Sequence, residues 1–382
     1  MSKSYILFSK ENCNFMRPCI AENYGTIRYE LPFINALAVE VPDDKAENLR
    51  KHRLVSAIAL DGRVSKLPLS EEGAASSEKV ELGKEEVYAA FERAEPEKKA
   101  PESGLPFRAS FFETQGFGTT IAILDTGVAP HYDLVKPQNR IVAFKDFINN
   151  KLLPYDDDGH GTHVAGIAAG NGYINGRLSG TAPMANIAAI KCLDENGGGA
   201  VSDILAGMQW VAENKDKYNI RVVNLSLGIN VYEEDFFDPL VIATAALTRL
   251  GIVVVTAAGN SGPGKCTITS PGTSPYSVTV GSFKGGKAAD FSSRGPTLSG
   301  LHKPDLLAPG VDIMSLDSET GKGYVVHSGT SMSAPFVSGI CACILSENPK
   351  LMPHQVKSIL FRMLTPLSGL SRDVQGRGAL IF

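Results

Sequence analysis

The chain has 382 residues, 43% of them hydrophobic and 20% charged, the proportions of a globular protein able to bury a sizeable core. At that length two or more folding units are expected, and a formal net charge of -4 without a basic block argues against a nucleic-acid partner. Met1 to Lys10 holds only a four-residue apolar run, too short for a secretory leader, and no later run reaches membrane-spanning length. The expectation is a cytoplasmic chain with no membrane partner.

In chain order, Tyr5 to Phe8 reads as a strand and Glu11 to Glu22 as a helical stretch. Thr26 to Tyr29 and Ala36 to Val41 form a strand pair joined through Pro32. Pro42-Asp43-Asp44 opens a polar helix to about His52, and Val55 to Leu60 is a last strand. That βαββαβ order predicts a small α+β, ferredoxin-like unit over residues 1–67. Residues 70–103 hold ten acidic side chains against five basic, so 68–104 is read as an acidic, protease-accessible linker.

From 105 to 382 the pattern is different. Thr119 to Leu124, Ile187 to Cys192, Val222 to Leu225 and Ile252 to Ala257 are mostly apolar runs, as expected of strands covered on both faces. A helix between the last two has Asp238 as cap, Pro239 at its first position and Gly251 at its end. Ser202 to Val211 has the same helical character. The predicted fold is therefore α/β, a mostly parallel sheet with helices on both faces, whose active residues collect at the carboxyl ends of strands.

Three residues in compact settings suit nucleophilic catalysis. Ser331 lies in Gly329-Thr330-Ser331-Met332-Ser333-Ala334-Pro335, opening an apolar helical run whose first turn is expected to hold Pro335, since amides there lack intrahelical partners. A serine hydroxyl needs a base within hydrogen-bond reach and a carboxylate to orient that base. Asp125 ends an apolar strand ahead of Thr126-Gly127. His163 is taken as the base, with its open glycine-flanked setting, and His160 is the competing candidate. The two histidines lack the intervening glutamate that a zinc-peptidase motif requires. Asn260, in Ala257-Ala258-Gly259-Asn260 after a strand, carries an amide able to donate to an oxyanion. Taken singly, each residue also has a plainer reading, such as a helix cap, a core imidazole or a turn.

These segments together, in co-linear order over roughly residues 105–345, resemble the subtilisin-type (subtilase) serine peptidases. Asn224-Leu225-Ser226-Leu227-Gly228, Phe291-Ser292-Ser293-Arg294-Gly295-Pro296 and Pro304-Asp305-Leu306-Leu307-Ala308-Pro309-Gly310 support the likeness. The resemblance implies a serine endopeptidase acting on protein or peptide substrates through an acyl-enzyme. Asp125 would orient, His163 act as base, Ser331 attack and Asn260 stabilise the oxyanion. Ser226, Leu227 and Gly228 would pair with the substrate backbone, and Ala258 and Gly259 would line the pocket before the cut bond. Residues near Thr269 to Gly272 would contribute its floor. The N-terminal unit resembles the family's inhibitory propeptide, which makes the chain a self-inhibited zymogen with Arg63 to Leu67 in the cleft and autoprocessing near Pro68 or within the linker.

No cofactor is expected. Calcium is the one metal the family suggests, but the segment Gly170 to Arg177 departs from the calcium loop of secreted relatives. Asp156-Asp157-Asp158 reads as a solvated charged turn in preference to a cation site, which needs 6–8 oxygens. Cys13, Cys19, Cys192, Cys266, Cys341 and Cys343 form no CxxC pair and are read as reduced, mostly buried residues. The same residues oppose two other classes. A silent peptide-holding pseudoprotease is opposed by the intact set of site residues. A nucleotide-binding enzyme is opposed by the missing Gly-x-Gly-x-x-Gly after the first long strand, and by a Gly197-Gly198-Gly199 run that lacks the Lys-Ser/Thr of a P-loop.

Overall fold

The computed structural model describes residues 2–69, 112–231 and 238–381. The expected linker therefore lies, beyond Leu69, outside the described residues, as does any cut within it.

The first four strands, β1 (Ser2–Ser9), β2 (Thr26–Leu31), β3 (Ala36–Pro42) and β4 (Val55–Leu60), form an antiparallel sheet in the order β2-β3-β1-β4. With the helices Arg17–Glu22 and Ala46–Lys51 between them, this is the split βαβ arrangement expected from the strand and helix order. Leu7, Leu37, Val39 and Leu49 fill the space between its sheet and helices.

The chain then runs through β5 (Arg63–Lys66) into the larger unit. Its main strands are β6 (Thr120–Asp125), β7 (Ile141–Asp146), β8 (Asn186–Lys191), a short β9 (Gly198–Ala200), β10 (Ile220–Leu225), a two-residue β11 (Leu227–Gly228), β12 (Val253–Ala257), β13 (Val278–Lys284), β14 (Lys287–Ala288) and β15 (Leu306–Pro309). Eight of these build one sheet, β14-β13-β12-β10-β6-β8-β7 with β15 also on β13. Every pairing in it is parallel except β13 with β14. β16 (Ile313–Leu316) and β17 (Tyr324–His327) make a separate hairpin.

Alternation along each buried strand sends side chains to two cores. Ile121, Ile123, Val253 and Val255 join the core under the helices His160–Ala169 and Thr330–Glu347. Ala122, Leu124, Val223 and Val254 join the other, under Val201–Tyr218 and Pro239–Arg249. The second of these helices starts as its sequence dictates, with the Asp238 carboxylate accepting from the Leu240 and Val241 amides at 2.9 and 3.3 Å and Pro239 following. Ile6, Phe8, Ile34 and Ala36 of the small unit are part of that second core. Polar contacts reinforce the packing: Arg28 and the Tyr29 hydroxyl reach Asp203 at 2.7 and 2.8 Å, and the Phe33 amide donates to Gln209 at 3.0 Å.

Two expectations need correcting. Of Asp156-Asp157-Asp158, expected as a solvated turn, only Asp157 is exposed. Asp156 is buried and accepts from the Thr162 amide (2.8 Å) and hydroxyl (2.7 Å), and Asp157 meets the buried Lys191 ammonium at 2.6 Å. Asp158 pairs with Lys66. Pro335 is not in the first turn of its helix but sixth from the start. A proline there deprives the carbonyl four residues back of its helical donor. That carbonyl belongs to Ser331, and the Ser226 hydroxyl supplies the missing bond at 2.9 Å. All six cysteines are free, five buried and Cys266 exposed.

Candidate active site

Asp125 is the last residue of β6, at the carboxyl edge of the sheet, and is fully buried. Its Oδ1 accepts from the Thr126 amide at 2.8 Å and meets His160 Nδ1 at 2.7 Å. The partner of the carboxylate is therefore His160, not the expected His163. The reason lies in Gly161: a Cβ there would collide with the Gly127 carbonyl and lie 3.1 Å from Asp125 Cβ. Only glycine lets the first turn of helix His160–Ala169 press against Asp125-Thr126-Gly127, which lays His160 beside the carboxylate.

His163 is one turn further on. Its Nε2 lies 3.1 Å from both the Ile313 and the Val325 carbonyls, so that nitrogen carries the proton and donates. Its ring packs against His327, centroids 4.5 Å apart. No carboxylate orients it, which removes it from the base's role.

The electrostatics separate the two rings in the same way. Burial by itself pushes both imidazole pKa values down. At His160 the charge and hydrogen bond of Asp125, with Asp158 behind, overcome burial and lift the pKa above its ordinary value. At His163 burial is joined by repulsion from His327 and His160, and the pKa falls well below ordinary.

Ser331 is the second residue of helix Thr330–Glu347. Its hydroxyl donates to the Ser226 carbonyl at 3.2 Å, while His160 Nε2 is buried with no hydrogen-bond partner. Asn260 is held by its own side-chain oxygen, which accepts from the Thr330 amide (2.9 Å) and hydroxyl (2.7 Å). This turns its Nδ2 outward, where it donates to the Pro68 carbonyl at 2.6 Å. Thr330 is thus a positioning residue that sequence reasoning did not single out.

β5 runs antiparallel between β11 and β9. Lys66 and Ser65 pair with Leu227 and Gly228 on one side, and Arg63, Val64 and Ser65 with Ala200, Gly199 and Gly198 on the other. The Lys66 amide donates to the Gly197 carbonyl at 2.7 Å. Leu227 and Gly228 were expected in such a pairing; Ser226 instead exchanges hydrogen bonds with Ser331. The second wall, Gly198 to Ala200, was missed. Its glycine run was the available signal, since glycine admits close approach of another backbone. Ala258 and Gly259 sit against Thr269: the Ala258 carbonyl accepts from the Thr269 amide at 3.0 Å, and a Cβ at Gly259 would fall 2.9 Å from Thr269 Cγ2. Among the described residues no cluster of histidine, cysteine or carboxylate side chains could hold a metal ion, and no helix is long and apolar enough to cross a membrane.

An orienting carboxylate, an imidazole and a hydroxyl at a helix start, gathered at one sheet edge, belong chemically to the serine hydrolases. Comparison with known proteins narrows the class: the model of the subtilase family matches residues 116–378. "Serine protease AprX" of Bacillus subtilis (strain 168) is 41% identical, over 69% of this chain and 65% of AprX. "Thermostable alkaline protease" of Halalkalibacterium halodurans is 34% identical, over 72% of this chain and 71% of its own length. "Subtilisin Savinase" of Lederbergia lenta is 35% identical, over 69% of this chain and 88% of the relative. The chain belongs to the subtilase family. It spans 65% of AprX, just under two thirds of that relative.

Proposed function

We propose that the chain is a serine endopeptidase that hydrolyses protein or peptide substrates through an acyl-enzyme, made as a self-inhibited proenzyme. The observation that carries the reading is β5 seated as a substrate-like strand, with the Pro68 carbonyl two residues beyond it on Asn260 and the Asp125–His160 pair alongside. The family and the relatives' names support the peptidase class.

The chemistry runs through the chain's own groups. His160 Nε2, buried without a hydrogen-bond partner, receives the Ser331 proton once that hydroxyl turns from the Ser226 carbonyl. The oxygen then bonds to the substrate carbonyl carbon. Negative charge on the carbonyl oxygen is met by Asn260 Nδ2 and the N-terminal end of helix Thr330–Glu347. His160, now protonated and held by Asp125, passes its proton to the leaving amine. Water repeats the sequence on the acyl-enzyme and frees Ser331.

Two features support self-inhibition. The tail fills the cleft along both walls, and its arrangement is out of phase with cleavage. The buried side chain is Leu67, but the carbonyl held by Asn260 belongs to Pro68. Residues 1–67 then act as propeptide and the chain from 105 as peptidase, with the activating cut beyond Leu69. Incubating the full chain with a fluorogenic peptide ending in leucine, beside Ser331→Ala and His160→Ala, tests the whole reading. Hydrolysis and a shortened band from the parent alone are expected. Equal signals from parent and Ser331→Ala overturn it.

A further inference from the structure

One polar residue interrupts the apolar run of a central strand. Asn224 of β10 lies between β6 and β12, opposite Ile123 and Val255, and is fully buried. A side-chain amide in such a place is costly unless it is hydrogen-bonded, and a branched apolar residue would suit the strand better. Alternation along β10 turns Asn224 the same way as Val222, into the core under helix Thr330–Glu347. Ser331 and Ser338 lie two turns apart on one face of that helix.

Four fully buried residues, Ser338, Asn224, Ser226 and Ser331, are joined in a line. The Ser338 hydroxyl is 2.9 Å from Asn224 Oδ1, Asn224 Nδ2 is 3.0 Å from Ser226 Oγ, and Ser226 Oγ is 2.9 Å from the Ser331 carbonyl. The last bond sets the direction of the others. A carbonyl only accepts, so the Ser226 hydroxyl gives its single proton to Ser331. Its oxygen can then only accept, which turns the Asn224 amino group towards it and the amide oxygen towards Ser338. Ser338 completes the line as donor. Its other neighbour, the Ala334 carbonyl at 3.1 Å, already takes the helical bond from the Ser338 amide.

The line ends on the carbonyl that Pro335 leaves without a helical donor. Ahead of it, Asn260 holds the Thr330 amide and hydroxyl. The backbone that carries the nucleophile is thus pinned on both sides of Ser331, while its hydroxyl has to rotate from the Ser226 carbonyl to His160. Geometry of this kind matters steeply, since a displacement of about 1 Å can cost about 10²-fold in rate.

We infer that Asn224 is a positioning residue for the nucleophile: oriented by Ser338, it fixes the Ser226 hydroxyl, which in turn fixes the Ser331 carbonyl. The inference rests on the peptidase reading.

The test measures kcat and KM of the full chain on the fluorogenic peptide ending in leucine. The variants are Ser226→Ala, Asn224→Ala, Ser338→Ala, and each of the last two combined with Ser226→Ala. Ser226→Ala keeps the backbone carbonyl that accepts from Ser331. Asn224→Ala should lower kcat about 10- to 100-fold, with KM kept within about twofold. Ser338→Ala removes a single hydroxyl and should lower kcat about three- to tenfold. In the Ser226→Ala background neither change should lower kcat further, because the line is already cut. Any effect of Ser226→Ala on how firmly the tail sits cancels in that comparison. Losses that multiply in the double variants overturn the inference, as does a kcat unchanged in the singles or a loss carried by KM alone. Each of these leaves the peptidase reading standing. If Asn224→Ala does not fold, Ser338→Ala with its double variant decides alone. No hydrolysis by the parent overturns the peptidase reading and this inference with it.

Discussion

Two turns of one helix hold two histidines in opposite chemical states. In the first turn His160 is buried against the Asp125 carboxylate, and its proton affinity is raised. In the second, His163 is buried against two carbonyls and another imidazole, and its affinity is lowered. Burial alone does not distinguish them, since both rings are within 2% of full burial. What differs is the sign of the nearest charge. A base that must become an imidazolium during turnover needs a carboxylate at its back; a ring that props up a hairpin between β16 and β17 needs to stay neutral.

The sharpest way to break this comparison is to remove each ring. His160→Ala should lower kcat by at least about 10⁴, the scale for loss of the base in a catalytic triad. His163→Ala should instead cost stability, about 2–4 kcal/mol for a buried ring that leaves a cavity and unpaired carbonyls, with kcat of the folded fraction largely kept. Peptide hydrolysis and urea unfolding on the same two proteins check both halves. If His163→Ala abolished turnover without loss of stability, the assignment would be reversed. Asn260→Ala should follow at about 10²–10³ in kcat, the loss seen for one oxyanion donor in related chemistry. Part of that loss would come through Thr330, whose amide and hydroxyl Asn260 also holds.

How much of this could be read beforehand divides along physical lines. Strands buried on both faces announce themselves as apolar runs, so β6, β8, β10 and β12 were legible within a residue or two, as was the succession of strands and helices in the small N-terminal unit. β7, with Lys145 and Asp146 in Ile141–Asp146, and β13, with Thr279 and Ser282, carry too many polar residues for that signal. Asp125, Ser331 and Asn260 stood out because each sits where a strand or helix begins or ends. An open setting does not tell His160 from His163, because both have glycine neighbours. The informative glycine was Gly161, whose missing Cβ lets the helix start touch Asp125. The acidic run Asp156-Asp157-Asp158 was misjudged for a related reason. Its partners, Thr162, Lys191 and Lys66, lie 6, 34 and 92 residues away, and no local pattern shows them.

Acid unfolding sharpens the same contrast. His327, beside His163, is held down to about 4 by burial and by repulsion from His160 and Lys66. An unfolded histidine takes up its proton near 6.5, so the unfolded state binds more protons between those values. Stability from keeping this ring neutral is therefore full above about 6.5 and lost as pH falls towards 4. His163, also lowered, adds to that loss. His160 works in the opposite sense: its raised affinity adds stability below about 6.5, which is lost as pH rises through its folded value. Between pH 7 and pH 5 the His327 contribution is about 2 kcal/mol. In a Ser331→Ala background, which prevents self-digestion, His327→Asn should flatten the stability drop over that interval by about this amount in urea unfolding. An unchanged slope would show that the ring protonates freely in the folded chain.

The smallest expected effect concerns what lies over the first turn and not the second. Lys66 brings a positive charge beside His160, where it opposes the imidazolium, and it also anchors β5 through Asp158. Lys66→Gln removes both effects while keeping a long polar side chain over Gly197. The tail should be held less firmly by about 1 kcal/mol, the upper range for a partly exposed ion pair, so hydrolysis by uncut full-length chain should rise several-fold. The pH at which hydrolysis reaches half its plateau should move upward at the same time, because the His160 imidazolium loses a repelling neighbour. His163 lies one turn further on, between the Ile313 and Val325 carbonyls, so its stability signature in urea should stay where it was. A rise in activity without the shift in pH profile would mean that Lys66 acts on the tail alone; a shift without the rise would mean that Val64, Leu67 and the backbone pairing with β9 and β11 hold the tail unaided.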